Sequence, residues 1–224
     1  WRSTDSKMSE LRRLFDRWNC DKGSKHSYER CYEQFFEPLK DKKINILEVG
    51  IYKGHSLEVF KDYFSDAQIY GIDIFTRVTP NQISTFLNKN VHWAMCDSTD
   101  PSCVSEITKT FGKDTKFDII IDDGLHEPEA NAKTLKNLWP LLKPDGIYFV
   151  EDVWPLDIMK TADIKSNPWL RRQRDIYNDS TYNMFLKELE NKHVERFDLR
   201  VPSTSVGHEF ENGDSYIFKV TNAR

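Results

Sequence analysis

The feature that most restricts the fold is a series of short apolar runs, rich in isoleucine and valine, that alternate with segments of helical periodicity. Runs of this kind occupy residues 44–50, 67–75, 91–97, 117–123 and 147–154. Helical patterns lie between them, for example at 55–64 and 127–142. Strands that are apolar along their whole length are buried on both faces, which is typical of a parallel sheet covered by helices. The sequence therefore predicts an α/β chain with a mostly parallel sheet.

The two flanks of this region differ from it. Residues 193–201 and 215–220 alternate as an antiparallel pair would, and we expect a C-terminal hairpin that closes one sheet edge. Residues 7–40 predict two short helices joined at 19–28. Farther along the chain, "KPDG" at 143–146 predicts a turn. We therefore expect an N-terminal helical cap over residues 1–40 and a core over 41–224, together one structural domain.

Composition excludes several classes of protein. A net charge of −4 argues against a broad phosphate-binding face, and we expect no nucleic-acid partner. The longest apolar runs have strand length, so we expect no membrane span. The four cysteines form no C-x-x-C or zinc-ligand spacing, which indicates reduced thiols and a cytoplasmic location. Because the chain begins at Trp1 instead of methionine, we expect a module of a longer protein.

A glycine turn follows the first predicted strand, in "LEVGIYKGHS". A dinucleotide fold would place a glycine where Tyr52 stands between Gly50 and Gly54, so that the backbone can approach a pyrophosphate. The tyrosine therefore disfavours a nicotinamide-dependent oxidoreductase. It is compatible with S-adenosylmethionine, which has no pyrophosphate. In that interpretation Glu48 orients the turn or accepts from the cofactor ammonium, and Ser56 bonds its carboxylate.

Two further acids follow the next predicted strands. Asp73 lies 23 residues after Gly50, and its two oxygens suit the two hydroxyls of a ribose. Asp97 ends the third predicted strand, where a carboxylate can accept from an adenine amino group. Taken singly, each acid is equally well explained as a cap of a strand end. Together, and in this order, they favour a nucleoside-binding site.

The fourth and fifth predicted strands both end in paired acids, Asp122–Asp123 and Glu151–Asp152. Neighbouring parallel strands would bring these carboxylates together, where they repel unless protons or a cation neutralise them. Oxygen ligands favour a hard ion such as Mg²⁺. His126 follows three residues after Asp123 and has the unperturbed pKa of a general base. The alternatives are solvated acids, a histidine that only caps a helix, and a metal-independent enzyme with His126 as its base.

Four motifs carry a family resemblance: E-x-G-x-x-x-G at 48–54, "DKGSKHSYERCYEQFFEPL" at 21–39, "DDGLHEPEA" at 122–130 and "YFVEDVW" at 148–154. With them the chain resembles the class I S-adenosylmethionine-dependent methyltransferases, whose sheet is Rossmann-like. It looks most like the metal-dependent sugar O-methyltransferases of macrolide biosynthesis and their cephalosporin-biosynthesis relatives. The resemblance implies metal ligands at Asp123, Glu151 and Asp152 and a base at His126. Asp122 would face the cofactor or buttress the turn.

The resemblance extends to two flanking segments. The segment that matches residues 21–28 folds over the cofactor in the relatives, so we expect Lys22, Gly23, His26 and Tyr28 to line the cofactor or substrate entrance. Residues 154–178 are rich in aromatic residues and arginine, which suits a lid over a sugar.

The function predicted from these features is methyl transfer from S-adenosylmethionine to a hydroxyl of a sugar or glycan, with a deoxysugar such as rhamnose as one candidate acceptor, assisted by Mg²⁺. A homo-oligomer and fusion to glycosyltransferase domains are family expectations. The alternatives are a catechol-type O-methyltransferase of small molecules and a non-catalytic cofactor-binding module.

Overall fold

The computed structural model describes residues 8–224, and the first seven residues of the predicted cap lie outside the described part. The helices of the described chain are α1 Glu10–Arg17, α2 Asp21–Ser24, α3 Glu29–Phe36, α4 His55–Tyr63, α5 Cys103–Phe111, α6 Pro128–Leu138, α7 Thr161–Ser166, α8 Pro168–Arg172 and α9 Asp179–Glu188. The strands are β1 Ile44–Val49, β2 Ala67–Asp73, β3 Val91–Met95, β4 Phe117–Asp122, β5 Leu142–Val150, β6 Lys192–Asp198 and β7 Tyr216–Asn222.

The seven strands form one sheet in the order β3-β2-β1-β4-β5-β7-β6. The first five strands run parallel, and β7 and β6 pair antiparallel beyond β5. The predicted Rossmann-like sheet with a C-terminal antiparallel pair is therefore confirmed. Because the strand order reverses between β1 and β4, a crevice opens at their carboxyl ends, where ligands of such sheets bind.

The core consists of two apolar layers, one on each face of the sheet. Alternate residues of the buried strands point to opposite faces, so Leu47 packs into one layer and Ile46 into the other. The helices α1 and α3 belong to the second layer, where Tyr32 and Phe36 stack on each other and both pack edge-on against Phe149 of β5. The N-terminal helices are thus fixed to the sheet through aromatic contacts.

The predicted bounds differ from the structure mainly at the turns. Residues 143–146, expected as a turn, lie within β5, with a register irregularity opposite Phe117 to Ile119 of β4. Pro144 and Gly146 suggested a turn, but a strand tolerates both residues where its ladder is irregular. The five parallel strands also end one to four residues earlier than predicted, which leaves Asp97, Asp123, Glu151 and Asp152 in the loops beyond them.

Two long connections cover the region beyond β5. The first contains α7, α8 and α9, and the second joins β6 to β7 through residues 199–215. Leu170 of α8 is buried and belongs to the first core layer, so this short helix is anchored. No helix in residues 8–224 has the length and apolar character needed to cross a membrane.

Candidate active site at the carboxyl ends of the strands

Four residues just beyond the carboxyl ends of parallel strands adopt left-handed backbone conformations without being glycine. They are Tyr52 after β1, Phe75 after β2, His126 after β4 and Asp152 after β5, with φ between 49° and 56°. This conformation is unfavourable for residues with a side chain, and it concentrates at functional sites. Strained backbone conformations therefore occur at the crevice where the strand order reverses.

Gly50 is required by a close approach between two loops. Its φ is +86°, and an added Cβ would lie 2.1 Å from the carbonyl oxygen of Asp123. The sequence predicts a glycine here to admit a cofactor, whereas the structure shows that the β4 loop already lies against it. Gly50 thereby fixes the distance between the β1 turn and the acids after β4.

Lys22 lies at the centre of the acid cluster. Its side chain is 2% exposed, and its Nζ lies 2.6 Å from Asp123 Oδ2, 2.6 Å from Glu151 Oε2 and 3.4 Å from Glu48 Oε2. Burial lowers the pKa of this ammonium, but the three carboxylates outweigh burial and raise it well above its usual value. Lys22 is therefore a permanent cation held among carboxylates from three strand ends.

Glu48 and Ser56 are paired with each other. The Ser56 hydroxyl donates to Glu48 Oε1, and both side chains are buried. Burial raises the pKa of Glu48 to about 7, although Lys22 opposes the rise. Because the Ser56 donor is already used, a bond from Ser56 to a cofactor carboxylate would require a change of partner, and the cofactor role predicted for this pair stays a prediction.

Glu151 is fully engaged by its neighbours. One oxygen accepts from Lys22, and the other accepts from the Tyr32 hydroxyl. The side chain is 1% exposed, and burial raises its pKa well above the usual value. Both Glu151 oxygens therefore face inward, toward the N-terminal helices.

Asp152 is held on its inner side by the segment that follows α2. The Tyr28 hydroxyl donates to Asp152 Oδ1 and accepts from the Asp152 backbone N–H at 3.1 Å. His26 stacks on Tyr28, bonds Ser215 through Nδ1 at 2.7 Å, and places Nε2 3.6 Å from Asp152 Oδ1. These contacts use one Asp152 oxygen and leave the other directed outward.

The outward oxygens of two acids meet at His126. Its Nε2 lies 3.5 Å from Asp123 Oδ1 and 3.4 Å from Asp152 Oδ2. Ligand atoms of Asp123, His126 and Asp152 all lie within 4.8 Å of one another, close enough to surround one metal ion. Two carboxylate oxygens and one imidazole nitrogen form a donor set that suits a divalent cation. Of the predicted ligands, Asp123 and Asp152 fit this position, while Glu151 would first have to release a partner.

The carboxylates also determine the charge of His126. Burial lowers its pKa, but Asp152, Asp123 and Asp122 outweigh burial and raise it. The sequence predicts a base with an ordinary pKa, whereas the imidazole in this arrangement holds its proton more tightly. The opposing charge of a cation at Asp123 and Asp152 would reverse this effect.

Asp122 buttresses the β4 loop. It is 2% exposed, and it accepts from the Asn131 side chain at 3.0 Å and from the Gly124 backbone at 3.2 Å. Burial raises its pKa to about 6, against the effect of these bonds. Of the two roles expected for Asp122, the structure shows these contacts of the turn, and contact with a cofactor stays a prediction.

The acids after β2 and β3 also have local partners. Asp73 accepts from the backbone N–H groups of Ile51 at 2.7 Å, Tyr52 at 3.2 Å and Phe75 at 2.8 Å. Asp97 is exposed and caps its own turn by accepting from Thr99. Asp73 therefore shapes the glycine turn, and both carboxylates retain lone pairs for a nucleoside.

The remaining predicted residues divide between the crevice and its support. Tyr52 is 53% exposed beside the crevice, and Gly54 begins α4 with φ +81°. Gly23 lies away from the acids, where an added Cβ would be 2.6 Å from the Phe15 Cβ. Its packing against α1 accounts for this glycine without a cofactor contact.

Several residues of the cluster were not predicted from the sequence. Tyr32 bonds Glu151, Ser215 bonds His26, and the Tyr177 hydroxyl donates to the His126 backbone carbonyl at 3.4 Å. Tyr32 lies four residues after Tyr28, on the same side of α3, which was a usable signal. Ser215 and Tyr177 come from distant segments, and the sequence gives no sign of either contact.

Comparison with known proteins agrees with this fold. A family model described as "Methyltransferase domain" matches residues 47–153. A Streptomyces olivaceus 8-demethyl-8-alpha-L-rhamnosyl tetracenomycin-C 2'-O-methyltransferase is 32% identical over 150 residues, which is 62% of this chain and 37% of that protein. Demethylmacrocin O-methyltransferase of Streptomyces fradiae is 30% identical over 157 residues, 66% of this chain and 38% of that protein. The chain thus spans well under half the length of these relatives.

Solved structures share the same fold. A methyltransferase from the mycinamycin biosynthetic pathway, solved in complex with Mg and SAH, superposes with a TM-score of 0.66 at 24% identity, over 96% of this chain and 55% of that chain. An SAH-bound Podospora anserina methyltransferase superposes with a TM-score of 0.58 at 15% identity, over 97% of this chain and 89% of that chain. The match to a methyltransferase domain at 47–153 agrees with the sheet described above, and the chain resembles the sugar O-methyltransferases of macrolide biosynthesis.

Proposed function

We propose that the chain transfers a methyl group from S-adenosylmethionine to a hydroxyl of a sugar or glycan, with the help of a divalent metal ion. The observation that carries the proposal is the pair of outward oxygens, Asp123 Oδ1 and Asp152 Oδ2, that face His126 at the sheet crevice. The relatives named as O-methyltransferases of glycosylated macrolides and tetracenomycins support a sugar acceptor.

The cofactor is proposed to occupy the crevice between β1, β2 and β4. The turn after β1 has the backbone conformation that a close ligand needs, because Gly50 and Gly54 both have positive φ. Asp73 shapes this turn through three backbone bonds and offers remaining lone pairs to the ribose hydroxyls. S-adenosylmethionine supplies the electrophilic methyl group, and the chain's residues orient it.

A cation is favoured by the charge balance of the cluster. Lys22 is the partner of Glu48, Asp123 and Glu151, whereas Asp152 does not pair with it and faces His126 together with the second oxygen of Asp123. Asp123 and Asp152 would hold the ion, and Glu151 would join only by releasing Lys22 or Tyr32. Bound there, a divalent ion such as Mg²⁺ lowers the pKa of a coordinated hydroxyl.

His126 is proposed as the base that receives the hydroxyl proton. Its Nε2 faces the space between Asp123 and Asp152, and its side chain is 33% exposed, so an acceptor can reach it. A cation held by Asp123 and Asp152 would counter the charge with which they raise the pKa of His126, which leaves the imidazole free to accept the proton. Transfer occurs in one displacement from sulfur to oxygen, and no covalent enzyme intermediate is needed.

The test is a methyl-transfer assay of the full chain with a panel of rhamnosides and other deoxysugar glycosides, with and without EDTA. We expect EDTA to abolish activity and added Mg²⁺ to restore it. His126→Gln should lower kcat by about 10²–10⁴ while SAH affinity by calorimetry stays unchanged. His193→Gln is the matched control, since His193 is 61% exposed on β6.

The outcomes separate the alternatives. Activity that persists in EDTA would leave His126 as a metal-independent base. Turnover of catechols but not of glycosides would indicate a small-molecule enzyme. SAH binding without transfer to any acceptor would indicate a cofactor-binding module, and His126→Gln with wild-type kcat would refute the assigned base.

A further inference from the structure

A second cleft lies beside the acid cluster, between α8 and the connection from β6 to β7. Its volume is about 340 Å³, which lies at the lower end of the range for small-molecule sites. Six side chains give it its chemical character: Trp154, Trp169, Arg172, His208, Phe210 and Glu211. Three aromatic residues and three residues with hydrogen-bonding side chains therefore line one open cleft.

Two residues of the cleft lie close along the chain to groups of the candidate active site. Trp154 follows Asp152 by two residues. On the opposite wall, Gly213 precedes Asp214, whose backbone carbonyl lies 3.4 Å from the same Tyr28 hydroxyl that bonds Asp152. Both sides of the cleft are therefore connected, through one or two residues of the chain, to the segments that hold Asp152.

The aromatic walls are held in place by the fold. Trp154 lies directly on the backbone at Gly213, where an added Cβ would be 2.5 Å from Trp154 Cζ3. Phe210 lies under the Arg200 guanidinium at 4.1 Å, and its backbone pairs with Pro202. Both rings thus have fixed positions before any ligand enters.

The capping and anchoring of α8 leave Trp169 exposed to solvent. The Asn167 side chain caps α8 by accepting from the N–H groups of Trp169 at 3.0 Å and Leu170 at 3.1 Å. Leu170 is 1% exposed and anchors the helix in the core, whereas the neighbouring Trp169 is 54% exposed. An anchored helix that keeps a tryptophan in solvent presents a ready surface for an apolar ligand face.

The polar groups suit a neutral polyhydroxylated ligand. Arg172 is exposed and has no ion-pair partner within residues 8–224, so its guanidinium is available. His208 and Glu211 add groups that can donate to and accept from hydroxyls. One cation, one anion and one imidazole give no net preference for a charged ligand, and the aromatic rings match the C–H faces of a sugar.

We propose that this cleft binds the sugar ring of the acceptor. The proposal rests on the proposed function and adds the position of the acceptor. The ring would lie among Trp154, Trp169 and Phe210, and Arg172 would bond its hydroxyls in a planar pair. A hydroxyl at the near end of the ring is then presented to His126.

The test compares two adjacent arginines of α8 in the full chain, with SAH and Mg²⁺ present. Arg172→Ala removes a cleft residue, and Arg171→Ala removes an exposed arginine that does not line the cleft. We expect Arg172→Ala to raise the KM for a rhamnoside acceptor about tenfold or more, with kcat and SAH affinity changed little. Arg171→Ala should behave as the wild type.

A measurement of rhamnoside binding tests the proposal even when no methyl transfer is detected. Saturation-transfer NMR with methyl α-L-rhamnopyranoside should show contact with the wild type and a loss of signal for Trp169→Ala. A wild type that gives no saturation transfer overturns the cleft as a sugar site. Equal KM values for the two arginine variants also overturn it, while measurable methyl transfer would leave the proposed function intact.

Discussion

The sharpest prediction concerns Lys22, which pairs with Glu48, Asp123 and Glu151 together. Lys22→Met keeps the length and much of the volume of the side chain but removes its charge. The three carboxylates would then face one another without their permanent cation. Protonation can relieve part of this repulsion, so the effect must depend on pH.

The magnitude follows from the burial of the cluster. Removing one partner of a buried ion pair typically costs about 3–5 kcal/mol, because the remaining charge is left buried and unpaired. For a chain of this length that corresponds to a fall in Tm on the order of 10 °C. Burial already raises the pKa of Glu48 to about 7 in the presence of Lys22, and loss of the ammonium would raise it further.

The pH dependence has a definite sign. A carboxyl whose pKa is raised by folding stabilises the folded state below its unfolded pKa, near 4.5, and this contribution is lost as pH rises through its folded value. At the low end of that window Glu48 and Glu151, whose pKa values burial raises, are protonated, and Lys22 has fewer charges to balance. The difference in the free energy of unfolding between wild type and Lys22→Met should therefore be small at pH 5 and large at pH 8.

The measurement is thermal or urea unfolding of both proteins at pH 5, 6.5 and 8 in EDTA. Lys25→Met is the matched control, since Lys25 is an exposed lysine three residues along the same segment. We expect the control to stay within about 0.5 kcal/mol of the wild type at every pH. A loss for Lys22→Met that equals the control at pH 8, or that grows toward pH 5, would refute the reasoning.

Three further substitutions test the supports of the site. Gly50→Ala should destabilise the chain by more than about 2 kcal/mol in urea unfolding, because its Cβ would collide with the Asp123 carbonyl oxygen at 2.1 Å. Tyr28→Phe should cost about 1–2 kcal/mol and weaken Mn²⁺ binding by calorimetry, since Asp152 loses its donor. Asp73→Ala should lower both Tm and SAH affinity, since three backbone N–H groups lose their acceptor; lost affinity at an unchanged Tm would contradict this.

The sheet was predictable because its strands are apolar along their whole length. That pattern requires helices on both faces, and it places the acids after β4 and β5 at one edge. The meeting of Asp123, His126 and Asp152 follows from this topology. The turn expected at 143–146 was wrong, because these residues lie within β5, at an irregularity where the β4 pairing passes from Leu142 to Ile147 and tolerates Pro144 and Gly146.

The position of Lys22 was less accessible from sequence. A lysine in a polar stretch is most often exposed, and only its distant contacts with Asp123 and Glu151 explain its burial. Two of the carboxylates that raise its pKa, Asp123 and Glu151, lie more than ninety residues away along the chain. Sequence therefore indicated which residue types could act, while the fold determined which of their oxygens remain available.

The acid cluster has an inner part, whose carboxylate oxygens bond Lys22 and the N-terminal tyrosines, and an outer part, whose carboxylate oxygens face His126. Asp123 belongs to both, because Oδ2 bonds Lys22 and Oδ1 faces His126. Asp152 likewise has one inner and one outer oxygen, whereas Glu151 has two inner ones. The permanent cation therefore neutralises the inner part, and the outer part is the one that can accept an exchangeable ion.

This division makes the predicted ligands unequal. If a metal ion is bound by the outer oxygens, Asp152→Asn should reduce Mn²⁺ affinity by tenfold or more, on the order of the loss typical for a weakened site. Glu151→Gln should reduce it less, because its oxygens are held by Lys22 and Tyr32. Calorimetry on both variants decides the point. An equal loss would mean that Glu151 exchanges Lys22 for the metal, and that the permanent cation moves when the site is filled.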